Sequence, residues 1–281
     1  MALTDWIGRS ETLADVIAAR PCAALAATLD RGDLAAAPGT ALPPLWHWLY
    51  FWAVAPRAEL GPDGHPKRGG FLPPVALPRR MWAGARLTFT APLRLGDAVQ
   101  RRSTIESVTE KTGRTGPLVF VTVRHEITRA ADGALALTER HDIVYRAAPG
   151  PADVPPPPQP APAPAAWRRD WHPDAVLLFR YSALTFNGHR IHYDRSYATE
   201  TEGYPGLVVH GPLIATLLLD LLHRERPEAE VAEFRFRALR PTFDTHSFTV
   251  CGAPQSDGRT VHLWAQDHEG WLTMDATALI G

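Results

Sequence analysis

Two histidines three residues apart, His189 and His192, stand in the segment FRYSALTFNGHRIHYD, with Asn187 before them and Asp194 after. On a helical turn that spacing puts both imidazoles on one face, and an imidazole with an ordinary pKa near 6.5 can take or give a proton at neutral pH. Further along, His210-Gly211-Pro212 opens an apolar run. Proline suits the first helical turn and glycine is tolerated at the cap, so a helix is expected to start there with free N–H groups. Those donors suit an oxygen that gains negative charge, such as the enolate of a thioester. Two plainer readings stand beside this one: Gly-Pro merely starts a helix, and His210 serves packing or loop hydrogen bonding. A metal hydrolase with His189, His192, Asp194 and His210 as ligands is a rival chemistry, although their spacing matches no compact ligand motif.

The elements that must position these residues are legible around them. Pro212 to His223, PLIATLLLDLLH, is apolar almost all round, the mark of a helix buried on most sides. Period-two alternation predicts strands over Ser103–Val108, Leu118–Ile127 and Ala136–Tyr145, then over His246–Gly252, Thr260–Ala265 and Trp271–Leu279. Turns such as Asp132-Gly133 and Asp257-Gly258 join them as antiparallel hairpins. The segment from Leu87 to Asp97 matches that from Phe234 to Asp244 at a constant offset, which suggests a duplicated unit. An apolar helix wrapped by an antiparallel sheet is the logic of a hot dog fold.

The chain has 281 residues, long enough for two domains. Nine of its 27 prolines fall between Pro149 and Pro164, a composition that favours an extended spacer. The expected division is therefore 1–148, a linker at 149–166, and 167–281. A formal charge of −1 leaves no electrostatic footprint for nucleic acid or an anionic membrane. No apolar run is long enough to span a bilayer, and the first residues carry Asp5 and Glu11 instead of a basic leader, so a cytoplasmic chain is expected. Only Cys22 and Cys251 are present, which supports neither a disulfide framework nor a thiolate zinc site.

The stretch Phe186-Asn187-Gly188-His189-Arg190-Ile191-His192-Tyr193-Asp194, followed by His210-Gly211, resembles the MaoC-like hot dog hydratases and dehydratases, and most closely their double hot dog branch. MWAGARLTFTAPLRLGD and TEKTGRTGPLVFVTVRHE in the first half resemble that branch's N-terminal domain. The resemblance implies an α+β double hot dog, with two antiparallel sheets that each wrap a central helix and pack side by side. It also implies a hydro-lyase that adds water reversibly to the C2=C3 bond of an enoyl-CoA, with no metal or redox cofactor. His192 takes the place of the catalytic histidine and Gly211 that of the backbone oxyanion donor. Asn187 stands where the family has its catalytic aspartate, and an amide cannot exchange a proton at neutral pH. Asn187 would then hold the water, and which group protonates C2 stays open, with His192 returning its proton as the first candidate.

The alternatives are a 3-hydroxyacyl-thioester dehydratase of fatty acid metabolism and an acyl-thioester binding protein without turnover. The first half has no counterpart of the histidine motif and is expected to be catalytically silent, covering the acyl tunnel. Pro44–Trp52 is expected to form that half's central helix and tunnel wall. Trp82 and Arg86 are expected to face the ligand, as is His189. If the substrate is a short dicarboxylic enoyl-CoA of the mesaconyl or itaconyl type, Arg190 and Arg86 are candidates for its free carboxylate. A homodimer is compatible with the resemblance.

Overall fold

The computed structural model describes residues 2–34, 37–113, 116–147 and 157–281. Alternation of buried and exposed positions builds ten strands, here β1 (Ser10–Val16), β2 (Arg79–Phe89), β3 (Ala98–Gly113), β4 (Gly116–Arg129), β5 (Leu135–Arg146), β6 (Trp167–Trp171), β7 (Val231–Ala238), β8 (Phe248–Pro254), β9 (Thr260–Gln266) and β10 (Leu272–Ile280). They run in the order β1-β3-β4-β5-β2-β7-β10-β9-β8-β6. Each half thus repeats one strand order, and the fold is an α+β double hot dog. The two expected sheets are in fact one, because β2 and β7 pair antiparallel at the centre. Leu87 and Phe234, equated by the sequence repeat, are Cα partners in that pairing, so the repeat's two copies meet across an approximate two-fold point.

Three α-helices accompany the sheet: α1 (Ala19–Thr28), α2 (Ala175–Leu184) and α3 (Gly211–Glu225). As its composition demands, α3 is buried over every residue from Leu213 to Leu222. Its core joins Leu217 and Leu218 with Phe234, Val250, Leu263 and Ala276 from the surrounding strands. Asp220 is the one charge within this buried run, and two arginines neutralise it: Arg31 Nη1 at 2.5 Å and Arg224 Nε at 2.7 Å. Removing either partner would leave an uncompensated buried charge.

The first half departs from expectation. Pro44–Trp52 forms no helix beyond a 3-10 turn at Trp46–Leu49. Leu45 (φ 70°) and Phe51 (φ 59°) take left-handed conformations on either side of that turn, so an α-helix cannot run through. Among the described residues, this half has no counterpart of α3; α1 is its helix, packed against α2. Residues 157–166 also depart from the notion of a free spacer. Pro160 bridges to Trp271, and the Ala161 and Ala166 N–H groups donate to the Gly270 and Gly252 carbonyls. Residues 149–156 of the expected linker, like the proposed boundary at 148, lie outside the described residues.

Candidate active site

His192 closes a 3-10 turn, Arg190–His192, with His189 at its N-cap, and the chain returns through Val208 to the start of α3. The His192 ring is 7% exposed. Its Nδ1 lies 2.6 Å from the Val208 carbonyl, so Nδ1–H donates there and Nε2 is left as a bare acceptor. Burial drives the His192 pKa down to about 4, against a rise from the Val208 carbonyl, so the ring is neutral at physiological pH. His189 lies 5.4 Å away, ring to ring and perpendicular, and burial followed by the neighbouring histidines His65 and His192 takes it to about 2.

His210 is fully buried, stacks on His192 at 3.7 Å and meets Ser182 Oγ through Nε2 at 2.8 Å. Packing and hydrogen bonding therefore account for it, as expected, although its Nδ1 has no partner. Asn187 spends its Oδ1 on the His189 N–H at 3.0 Å, which closes the turn and leaves the amide Nδ2 as a donor. Its backbone N–H is held by the Ser182 carbonyl at the end of α2.

These residues face a cavity of about 540 Å³, within the range typical of ligand sites. Asn187, His189, His192, Gly211 and Trp82 all line it. Arg190 and Arg86 do not. Arg190 is committed to Asp194 at 2.8 Å and to the Pro62 carbonyl at 3.0 Å, while Arg86, with 58% of its side chain exposed, reaches only Asp142. The cavity's own cations are elsewhere, among them Arg80 and Arg101 on β2 and β3. Neither has an ion-pair partner among the described residues, whereas Arg79 is neutralised by Glu202 at 3.3 Å. Arg101 Nε is buried without a hydrogen-bond partner. Beside them His125 and His141 are kept neutral by burial, near 3 and near 4 respectively. Both arginines lie on strands read as covering wall, and nothing in a strand's alternation distinguishes a cavity-facing arginine from a solvated one.

The first half adds a second group. Asp63 and His65 sit in a loop that crosses onto the histidine turn and line the same cavity. Asp63, His65 and His189 bring ligand-type atoms within 4.8 Å of one another, a spacing that would admit an ion. Asp63 is already engaged with the His65 ring, however. The four-residue set considered from sequence is not assembled: Asp194 points to Arg190, Ser196 and the Tyr197 N–H.

An apolar helix wrapped by a hot dog sheet, with a neutral histidine beside the N–H at that helix's start, defines the class: a hydro-lyase of acyl thioesters. Residues 45–244 match the hydroxyacyl-thioester dehydratase type 2 family, and the chain belongs to that family. It is 47% identical to the mesaconyl-C(4)-CoA hydratase of Chloroflexus aurantiacus over 98% of its own length and 97% of that protein. It is 27% identical to the mitochondrial hydroxyacyl-thioester dehydratase type 2 of Schizosaccharomyces pombe, over 75% of this chain and 78% of that one. Among solved structures, a MaoC-like dehydratase from Phytophthora capsici superposes with a TM-score of 0.69 at 13% identity, covering 100% of this chain and 98% of that one. As a member of that family it acts on an acyl thioester, by hydration or its reverse. No helix among the described residues is long and apolar enough to cross a membrane.

Proposed function

We propose that the enzyme hydrates a short dicarboxylic enoyl-CoA of the mesaconyl type. The supporting observation is the pair Arg80 and Arg101, two cations without ion-pair partners in the cavity that holds His192. Both are half-buried, with Arg101 also in the field of Glu139, Glu11 and Asp15, and a substrate with a second carboxylate would supply an ion-pair partner. The 47% identity to a mesaconyl-C(4)-CoA hydratase agrees with this reading.

In the proposed mechanism Nε2 of His192 takes a proton from water as the oxygen attacks C3. The Gly211 N–H, at the positive end of α3, stabilises the enolate oxygen of the thioester. The Asn187 amide holds the water. Adding water transfers no electrons to an acceptor, so the reading calls for no redox cofactor, and it assigns the proton and enolate chemistry to His192 and Gly211 instead of to a metal. His189 and Trp82 shape the acyl site. We divide the chain functionally at the proline-rich segment, with the histidine motif on the C-terminal side. Both free thiols are buried, which suits the reducing cytoplasm this reading assigns. Homodimerisation belongs to the same reading and is read out by mass in solution.

The test is a panel of enoyl-CoAs assayed by loss of the conjugated thioester absorbance. Arg80→Met or Arg101→Met should lower kcat/KM for mesaconyl-CoA by about 10- to 100-fold, the worth of a charge-assisted hydrogen bond, and barely change it for crotonyl-CoA. Preference for a long unbranched enoyl chain over every dicarboxylic one would favour the fatty-acyl dehydratase reading instead.

A further inference from the structure

At rest the histidine motif presents no imidazolium to protonate C2, and the proton that His192 takes from water is its one alternative source. Asn187 cannot exchange a proton, His192 has its only N–H committed to Val208, and His210 is sealed behind it. His189, 5.4 Å from His192, is held neutral near 2 by burial, and the next imidazole along the cavity, His65, belongs to the other half. His65 is carried by the loop at 61–66, which is clamped onto the catalytic turn: the Arg190 N–H donates to the Asp63 carbonyl at 2.9 Å and Arg190 Nη1 to the Pro62 carbonyl at 3.0 Å. Gly64, at φ +87°, approaches so closely that an added Cβ would fall 1.9 Å from the Gly188 carbonyl oxygen.

Asp63 grips His65 twice. Its Oδ1 accepts the His65 backbone N–H at 3.1 Å, and its Oδ2 lies 3.0 Å from ring Nδ1. Nδ1 is thereby fixed as the donor to the carboxylate, and Nε2, on the cavity that His65 lines, carries a proton only in the imidazolium form. The His65 ring stands 4.1 Å from that of His189, which in turn stands 5.4 Å from His192. Burial lowers the His65 pKa below the usual imidazole value and Asp63 opposes that shift, so its imidazolium is the minor, more readily donating form at neutral pH.

We propose that His65, oriented by Asp63, is the acid that protonates C2, so that the two halves share one catalytic centre. The proposal rests on the hydratase reading. In the hydration direction a water O–H bond breaks, its oxygen bonds to C3, and its proton goes to His192 Nε2. The C2=C3 π pair moves toward C2 and the thioester oxygen, and the Nε2–H bond of His65 breaks as its proton passes to C2. The proton held on His192 then returns to His65 through His189 or solvent, which restores both groups. The charged and titratable groups facing His65 are Asp63, Arg68, Arg80, His189 and His192.

The full-length enzyme is assayed with mesaconyl-CoA and crotonyl-CoA. His65→Gln should lower kcat by about 100-fold or more with KM changed less than about threefold. Asp63→Asn, which keeps the loop's shape, should lower kcat by about tenfold, and added imidazole should restore part of the activity of His65→Ala. Wild-type kcat should fall as pH rises through the titration of His65, which burial places below the usual imidazole value, and that alkaline limb should vanish in His65→Gln. If His65→Gln fails to fold, Asp63→Asn and the wild-type alkaline limb decide. A kcat for His65→Gln within about threefold of wild type, a loss confined to KM, or stoichiometric metal whose chelation abolishes turnover would each overturn the proposal. Failure of the wild type on every enoyl-CoA would sink the hydratase reading along with it, whereas an active wild type with an active His65→Gln sinks this proposal alone.

Discussion

His192 is neutral because the interior holds its pKa near 4, and the sign of that shift makes two measurements diagnostic. As a base it stays competent at any pH above that value, so the acid limb of kcat/KM should fall near pH 4, well below the 6.5 of a free imidazole. For stability the shift works the other way. The unfolded chain binds a proton below pH 6.5 while the folded one refuses it, so the contribution is complete above pH 6.5. It is lost as pH falls toward 4, by about 1.4 kcal/mol per pH unit. His192→Gln should therefore lose hydration by about 100- to 10,000-fold while its melting temperature falls less steeply between pH 6.5 and 5 than that of the wild type. A turnover close to wild type in that variant would remove His192 from the mechanism.

At the scale of elements, the sequence exposed what periodicity and turn chemistry can carry. α3 was legible because Gly211-Pro212 starts it and nearly every side chain is apolar, and the hairpins were legible from alternation and Asp-Gly turns. Two features were not. The aromatic run Pro44–Trp52 has helix-like spacing, yet left-handed residues at Leu45 and Phe51 fold it into a wall, a backbone choice that composition does not encode. The loop carrying Asp63 and His65 has no period at all, and Pro-Asp-Gly-His-Pro reads only as a turn. Its position depends on a contact with a distant segment, which no local pattern reports. The arginines show the same limit, since Arg190 was next to the motif but Arg80 and Arg101, with Arg79, Arg146 and Arg240, are the ones that line the cavity. Gly64→Ala tests the loop directly. Displacing it by even about 1 Å should cost up to 100-fold in kcat/KM, with the melting temperature much less affected than it is by a core substitution.

Across the whole molecule, the β2–β7 pairing makes each half the other's support. A fragment of residues 167–281 keeps α3 and the histidine turn but loses the partner of β7, together with His65, Arg80, Trp82 and Arg101 from the cavity. Such an edge exposes unpaired backbone groups and invites self-association. The fragment should aggregate or pair with itself, and its hydration activity should fall by more than about 100-fold; a soluble, monomeric, fully active fragment would refute this shared architecture.

The two-fold point at Leu87 and Phe234 has one more consequence. Two identical subunits meeting there would be obliged to present the same groups on both sides, and a ligand lying across the axis could bind in either direction with equal energy. A single chain is free of that obligation, because each copy of the repeat is spelled out separately. One copy keeps the long helix and the bare imidazole; the other, among its described residues, has no counterpart of α3 and lends a loop and two arginines. On the proposed reading the cleft therefore has a polarity, with a thioester end at His192 and Gly211 and an anion end at Arg80 and Arg101, so that an unsymmetrical diacid would have one way in.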